Sequence, residues 1–351
     1  MVVAVSKGDE VAKDFDLLAQ LAAFARANDV PLTDPDIAER FAADIAPRLR
    51  EAIKDRNLMY GMRAERLFEA MVVSLGKFRL FKSEDNGVTH GAEGFRAPDF
   101  RVVMENGQQW LIEVKNVHRA DPFDQVDEQS PAYLASLRRY SDAVGVPLLI
   151  AHFWSRWGMW TLVEVDRFLT GDGGLRVGMA EAFPYSRLGD LGDVSINLPG
   201  PLQFTVMFEP GVESAEEQPR PTAALYRDGQ LLTDARDQNL AMILLQFGEW
   251  PLSGPLEEQL EDGARLVHFK AEPEEPSGHG FDGIGIASRI FSRFYREDTS
   301  AGDQVTQLNG EPRPEWFRPL AEWDFKASKL GLRIFRMQAR ADDLVPEADR
   351  D

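Results

Sequence analysis

The chain has 351 residues, a 44% apolar share and no cysteine. That length exceeds one core of ordinary size, the apolar share is that of a globular protein, and the missing cysteine excludes disulfides and thiolate metal sites. The formal net charge of −19 argues against broad contact with a polyanion, but it is uneven: residues 1–170 hold 26 acidic and 21 basic side chains, residues 171–351 hold 32 and 18.

Taken from the N-terminus, the decapeptide M-V-V-A-V-S-K-G-D-E lacks a basic segment followed by a long apolar one. No later run reaches the roughly 18–20 apolar residues of a membrane span. No signal peptide and no membrane partner are therefore expected, and a reducing cytoplasm is the expected location. Residues 11–28 predict an amphipathic helix with Val11, Phe15, Leu18, Leu21, Ala22 and Phe24 on one face. A second helix is predicted after Thr33-Asp34-Pro35, with Asp34 as cap, running to about Asp55. A third, over 60–77, turns Met62, Leu67, Phe68, Met71, Val72 and Leu75 to a core.

Strands follow at 78–82, 98–104 and 109–117, the last two flanking Asn106-Gly107, a strong hairpin signal. Ser130-Pro131 opens a helix to about Val144, and Gly145-Val146-Pro147 breaks it. The apolar run 148–153 and the segment 157–165 are further strands. From residue 60 this gives helix, three strands, helix, strand, strand: a mixed α/β (α+β) core with an antiparallel hairpin and a crossover helix. Gly171-Asp172-Gly173-Gly174 predicts a linker or loop. Beyond it, strands are predicted at 202–208, 222–226, 264–270 and 330–338, and helices at 234–247, capped by Asp234, and 284–296. Residues 272–283 read as an exposed loop, and the tail from Ala341 as a frayed end. The expected organisation is an N-terminal helical segment (1–58), a mixed-sheet domain (59–170) and an acidic α+β domain (171–351).

One constellation carries chemistry. Side chains alternate along a strand, so Glu113 and Lys115 share a face while Ile112 and Val114 take the other. Twist and pairing can bring Asp99 to the same face, across from Glu113. Two converging carboxylates suit a hard divalent cation such as Mg²⁺ or Mn²⁺, with the backbone carbonyl of Val114 as a further candidate ligand. Lys115 can orient a water or stabilise negative charge on phosphate, and Glu65 can add a carboxylate from the helix before. Glu69, one turn further on, could replace Glu65. Each residue alone has a plainer account: a solvated strand face for Glu113 and Lys115, a turn after proline for Asp99. Their combination is more specific, and only 9 lysines stand against 30 arginines, which makes a lysine beside two acids harder to ascribe to chance.

This combination resembles the PD-(D/E)XK nuclease superfamily: Pro98-Asp99, a hairpin, then Glu113-Val114-Lys115. Upstream, Gly61-Met62-Arg63-Ala64-Glu65 is similar to the G-x-x-x-E helix of archaeal Holliday-junction resolvases. Downstream, Y-L-A-S-L-R-R-Y-S-D-A-V-G-V-P-L-L-I is similar to the helix and strand that follow the motif. The resemblance covers about residues 60–165. It implies a restriction-endonuclease-like fold and a Mg²⁺-dependent phosphodiesterase, foremost a DNA endonuclease, with Asp99, Glu113, Lys115 and Glu65 as site residues.

Around that site, a basic stretch (Arg63, Arg66, Lys77, Arg79, Lys82, Arg96, Arg101) and the Arg138-Arg139-Tyr140 run could contact nucleic acid, although a solvated helix face accounts for the latter nearly as well. Gln129 and Tyr133 match a Gln-x-x-x-Tyr spacing of some exonuclease-type members, with Pro131 placing Gln129 before the helix. Alternation puts His118 opposite Lys115. The five histidines, 90, 118, 152, 268 and 279, have no metal-ligand spacing. Trp154, Trp157 and Trp160 could stack bases, with core or edge packing the better account. The second function class is a catalytically silent nuclease-like module that binds nucleic acid or assembles with a partner. The acidic half could bind a protein, form a homodimer or regulate the site, and its charge argues against broad DNA contact there.

Overall fold

The structure, a computed structural model, describes residues 8–84, 94–209, 221–302, 304–321 and 327–339, with the backbone alone for 8–16. His90 and the tail from Ala341 lie outside the described residues. The chain divides into two compact units, Met1–Met62 and Arg63–Asp351, and the expected boundary near residue 170 falls within the second. Among the described residues, no helix is long and apolar enough to cross a membrane.

The first unit holds α1 (Gly8–Ala27), α2 (Ile37–Lys54) and the start of α3 (Arg56–Leu75). Asp34 accepts the Asp36 N–H at 2.9 Å and pairs with Arg40 at 3.1 Å, so it stabilises the start of α2 from just outside it. Ala25, Val30 and Ile37 form a small buried cluster with Leu21 and Phe24 against it. Leu18 and Ala22, expected on the buried face of α1, are exposed, and the side chains of Val11 and Phe15 lie outside the described residues.

The second unit begins on α3, whose Leu67, Phe68, Met71, Val72 and Leu75 are buried as expected, while Met62, expected on the same face, is exposed. Gly76, at φ +70°, ends the helix, and a Cβ there would meet the Arg318 side chain. Then come β1 (Leu80–Ser83), β2 (Phe100–Val103), β3 (Gln109–Val117), β4 (Val126–Gln129), α4 (Pro131–Val144), β5 (Leu148–Trp154) and β6 (Met159–Glu164). Five of these strands form a mixed sheet in the order β1-β2-β3-β5-β6, with β3 and β5 parallel and every other pair antiparallel. The parallel pair requires a crossover, which α4 supplies. The Ser130 hydroxyl caps α4 by accepting the Tyr133 N–H at 3.3 Å, Pro131 opens it, and Gly145, at φ +66°, closes it.

The β2–β3 hairpin turns through Glu105, Asn106 and Gly107, where Gly107 takes φ +86° and donates its N–H to the Met104 carbonyl at 2.9 Å. That turn sets Phe100 opposite Ile112 and Val103 opposite Gln109. Alternation along β3 then sorts its side chains. Trp110, Ile112 and Val114 join the cluster that includes Phe68, while Leu111 and Val117 join a second cluster containing Leu134 and Leu137 of α4. Both faces of the sheet are therefore covered.

The remaining elements are β7 (Leu175–Gly178), α5 (Met179–Ala182), β8 (Val194–Leu198), β9 (Leu202–Phe208), β10 (Thr222–Arg227), β11 (Gln230–Leu231), α6 (Ala235–Phe247), β12 (Leu252–Gln259), β13 (Arg265–Ala271), β14 (Asp282–Ile286), α7 (Ala287–Thr299), β15 (Ser300–Ala301), β16 (Gln304–Val305), α8 (Pro314–Ala321) and β17 (Arg333–Arg336). The chain is thus an α+β protein with several sheets. Strands β9–β13 build an antiparallel sheet in the order β11-β10-β9-β13-β12, and β8 pairs with β14 and β17. Residues 171–174 form a tight turn, closed by Thr170 N–H to Gly174 O at 2.9 Å, that returns the chain as β7 onto β4. The helix predicted from 284 begins at Ala287. Gly283 and Gly285 sit in β14 instead, and the Asp193 carboxylate accepts the Ser288 N–H and hydroxyl at 2.8 and 2.7 Å, fixing the helix start. The Phe68 cluster continues through Trp160 to Leu188, Ile196 and Phe291, and the Trp160 indole donates to Ser292 at 3.2 Å.

Candidate active site

The hairpin register carries Asp99, one residue before β2, opposite Glu113. Its Oδ2 accepts the Val114 N–H at 2.7 Å, which locks the carboxylate against β3. Glu113 is 2% exposed, on the β3 face that packs toward α4. Lys115, two residues on, donates its ammonium to Glu113 Oε1 and to the Tyr133 hydroxyl, both at 2.6 Å. The same Tyr133 hydroxyl donates to Glu113 Oε1. Carboxylate, ammonium and phenol thus close a three-membered polar network at the start of α4.

The electrostatics follow from burial. Desolvation, then the charge of Glu113, pushes the Asp99 carboxyl up to about 7 against the Val114 hydrogen bond. Burial opposes the Lys115 ammonium, but Glu113 and Tyr133 outweigh it and its pKa is raised. Burial and Glu113 push Tyr133 up to about 12, so its proton stays in place at neutral pH. Glu65, half-buried on α3, is raised by desolvation and by Glu113 against the charges of Arg66, Lys115 and Arg96. Glu69 is turned to Arg66, at 2.7 Å. Of the two helix glutamates, Glu65 is the one that joins the cluster.

A hard cation suits this donor set. Glu113 Oε2 is buried with no hydrogen-bond partner, and beside it stands a second carboxylate that burial resists ionising. An added positive charge would satisfy both. The donors are oxygens, as Mg²⁺ or Mn²⁺ prefers. Among the described residues no three His, Asp or Glu side chains converge closely enough to hold a metal. Asp99 and Glu113 face each other across the hairpin, and Glu65 lies within electrostatic reach of both.

The residues named for nucleic-acid contact separate. Arg96 lies over the Tyr133 ring at 4.7 Å, at the edge of the network. Arg63 donates to Thr299 and Ser300 at 2.8 and 2.9 Å, directed toward the end of α7. Arg138 pairs with Asp166 at 2.7 Å, Arg139 binds the Gly94 carbonyl at 3.0 and 2.8 Å, and Tyr140 donates to Glu84 at 2.9 Å. Those three residues hold neighbouring segments together. Trp154 is buried and bonds Thr161 at 2.9 Å, and Trp160 is in the core, while Trp157 is partly exposed. His118 leaves the sheet and meets Ser155 at 2.7 Å.

Two features lie beyond the expected set. Tyr133 reaches the centre of the network although Gln129 sits on β4, before the helix; the Gln-x-x-x-Tyr spacing was its signal. The second is a buried pair beside the lysine. His152 is fully buried on β5, in register with Lys115, and meets Asp127 of β4 at 3.1 Å. Burial works against the Asp127 carboxylate, but bonds from His152 and Gln129 and the charge of Lys115 hold its pKa below the usual range. Neither residue has a spacing signal, because the contact joins two strands from opposite sides of α4.

No protein-family model and no curated protein matches the sequence. Among solved structures, the chain is similar to Hjc, a Holliday junction resolvase from the archaeal hyperthermophile Archaeoglobus fulgidus. The identity is 17%, with 35% of this chain and 87% of that chain covered, at a TM-score of 0.27.

Proposed function

We propose that the chain is a metal-dependent nuclease of PD-(D/E)XK type that hydrolyses phosphodiester bonds, with DNA as the foremost substrate and endonucleolytic action. The observation that carries it is the convergence of Asp99, beside β2, with Glu113 and Lys115 of β3, together with a buried, unpartnered carboxylate oxygen on Glu113. Asp99 and Glu113 would hold Mg²⁺ or Mn²⁺, with the Val114 carbonyl as a further oxygen donor and Glu65 assisting. Bound there, the cation supplies Lewis-acid polarisation of a phosphate oxygen and acidifies water. Lys115, kept charged by Glu113, gives a fixed donor to an attacking water or to the charge that grows on phosphate. Tyr133 and Glu113 restrict the lysine to one orientation, which is the positional advantage a buried network provides. Arg96 is suited to a substrate phosphate beside them.

The test is incubation of the full chain with circular and linear nucleic acids, with Mg²⁺ or with chelator. Nicking of circles, lost with chelator and abolished in Lys115→Ala while that variant keeps its fold, is the expected result. Undiminished cleavage by Lys115→Ala overturns the assignment.

A further inference from the structure

Past β3 the chain leaves the sheet in a loop whose interior is tied by one buried side chain. Gln125 is 2% exposed; its amide donates to the carbonyls of Arg119 and Asp121, and its oxygen accepts the Arg119 N–H at 3.3 Å. Asp121 accepts the Phe123 N–H at 2.9 Å, and Arg156 binds the Arg119 carbonyl at 3.1 Å. At the tip of this braced loop Phe123 is 88% exposed. Its ring meets Trp157 edge-on, with centroids 5.9 Å apart, and the Trp157 indole is tied to the Pro122 carbonyl at 2.7 Å. A lone exposed apolar side chain is ordinary, but here several hydrogen bonds hold an aromatic pair out in solvent.

We infer that the Phe123–Trp157 pair is a stacking platform for an unpaired nucleobase of the substrate strand. This rests on the nuclease reading of the neighbouring site. The loop starts three residues beyond Lys115 on the same strand, about 10 Å along it. Its charges choose between ways of holding nucleic acid. Arg119 and Arg156 are offset by Asp121 and Asp124, and Glu128 already faces Arg119 and Arg176 at 3.9 and 3.3 Å. A nearly neutral surface cannot track a phosphate backbone by counterion release. A base face needs no net charge, and aromatic rings with neighbouring guanidinium groups fit it. The substrate class is therefore nucleic acid with a single-stranded or unpaired segment on the side of the site where β3 ends.

The test uses full chains carrying Lys115→Ala to prevent cleavage, with and without Phe123→Ala. Binding is measured on a short single strand offered as DNA and as RNA, on the same length built of abasic sites, and on a blunt duplex. Phe123→Ala is expected to weaken single-strand binding about tenfold, to leave abasic and duplex binding unchanged, and to leave the salt slope unchanged; Phe123→Trp restores affinity. Equal single-strand affinity with and without Phe123, or an equal loss on the abasic strand, overturns the inference. A protein whose wild type cleaves in Mg²⁺ but whose binding ignores Phe123 loses only this inference. One that neither cleaves nor binds any probe loses the nuclease reading as well. Binding of none of the probes by a wild type that cleaves also counts against the platform.

Discussion

The second unit contains two five-stranded sheets that use their polar residues in opposite ways. The sheet β1-β2-β3-β5-β6 is covered on both faces and buries Glu113, His152 and Thr161 within it. The sheet β11-β10-β9-β13-β12 turns one face to solvent: Gln203, Thr205, Tyr226 and His268 line an open depression of about 350 Å³ there, and β12 is exposed along its whole length. A carboxylate on the second sheet would be solvated and ordinary. On the first, cover from α3 and α4 makes charge costly, and that cost is what raises Asp99 and leaves Glu113 Oε2 without a partner. Two-sided cover, which a parallel strand pair with its crossover helix brings, distinguishes a sheet that buries charged side chains from one that presents them to solvent.

Substitution at the first sheet should break that contrast most sharply. Glu113→Gln is expected to lower Mg²⁺-dependent cleavage by about a thousandfold or more, since the cation's contribution is several kcal/mol, and to lower thermal stability as well, because the buried Lys115 ammonium loses its ion-pair partner. Retained cleavage together with a large stability loss would show that Glu113 serves packing alone. Next, Phe68→Ala removes the ring that touches Phe81, Phe100 and Trp160 on the other face, and should cost about 3–5 kcal/mol in denaturant titration. A cost near zero would mean that this face does not brace the site.

A pH series sharpens the comparison further. Below the ordinary carboxylate range Asp99 is protonated in both folded and unfolded chains. As pH rises toward about 7 the unfolded chain releases that proton first, so metal-free stability falls across this window. A cation must displace the same proton, so its affinity should drop up to about tenfold per unit as pH falls below about 7. Calorimetric titration with Mn²⁺ at stepped pH reads this directly, and a flat profile would remove the burial argument. The smallest effect belongs to the second sheet. Leu256→Lys on exposed β12 should change stability by no more than about 0.5 kcal/mol and leave cleavage unaltered. A marked loss of either would show that β12 is covered by a partner.

The sequence by itself determined many of the local elements and the strand placement of the candidate residues Asp99, Glu113 and Lys115. Alternation fixed Glu113 and Lys115 on one strand face, Asn106-Gly107 fixed the hairpin that sets Asp99 across from Glu113, and Ser130-Pro131 with Gly145 fixed the limits of α4, all short-range effects. The short strands β4, β7 and β14 were not legible, because four or five residues are too few to establish a period and become strands only when a distant partner satisfies their backbone. The tertiary structure alone turned Glu69 to Arg66 while leaving Glu65 within reach of Glu113, set the Tyr133 hydroxyl on the lysine, and paired His152 with Asp127. It also sent Arg63, Arg138, Arg139 and Tyr140 to structural partners. Each of those outcomes depends on which helix covers which sheet face, and a choice between neighbouring turns of a helix is made by packing rather than by propensity.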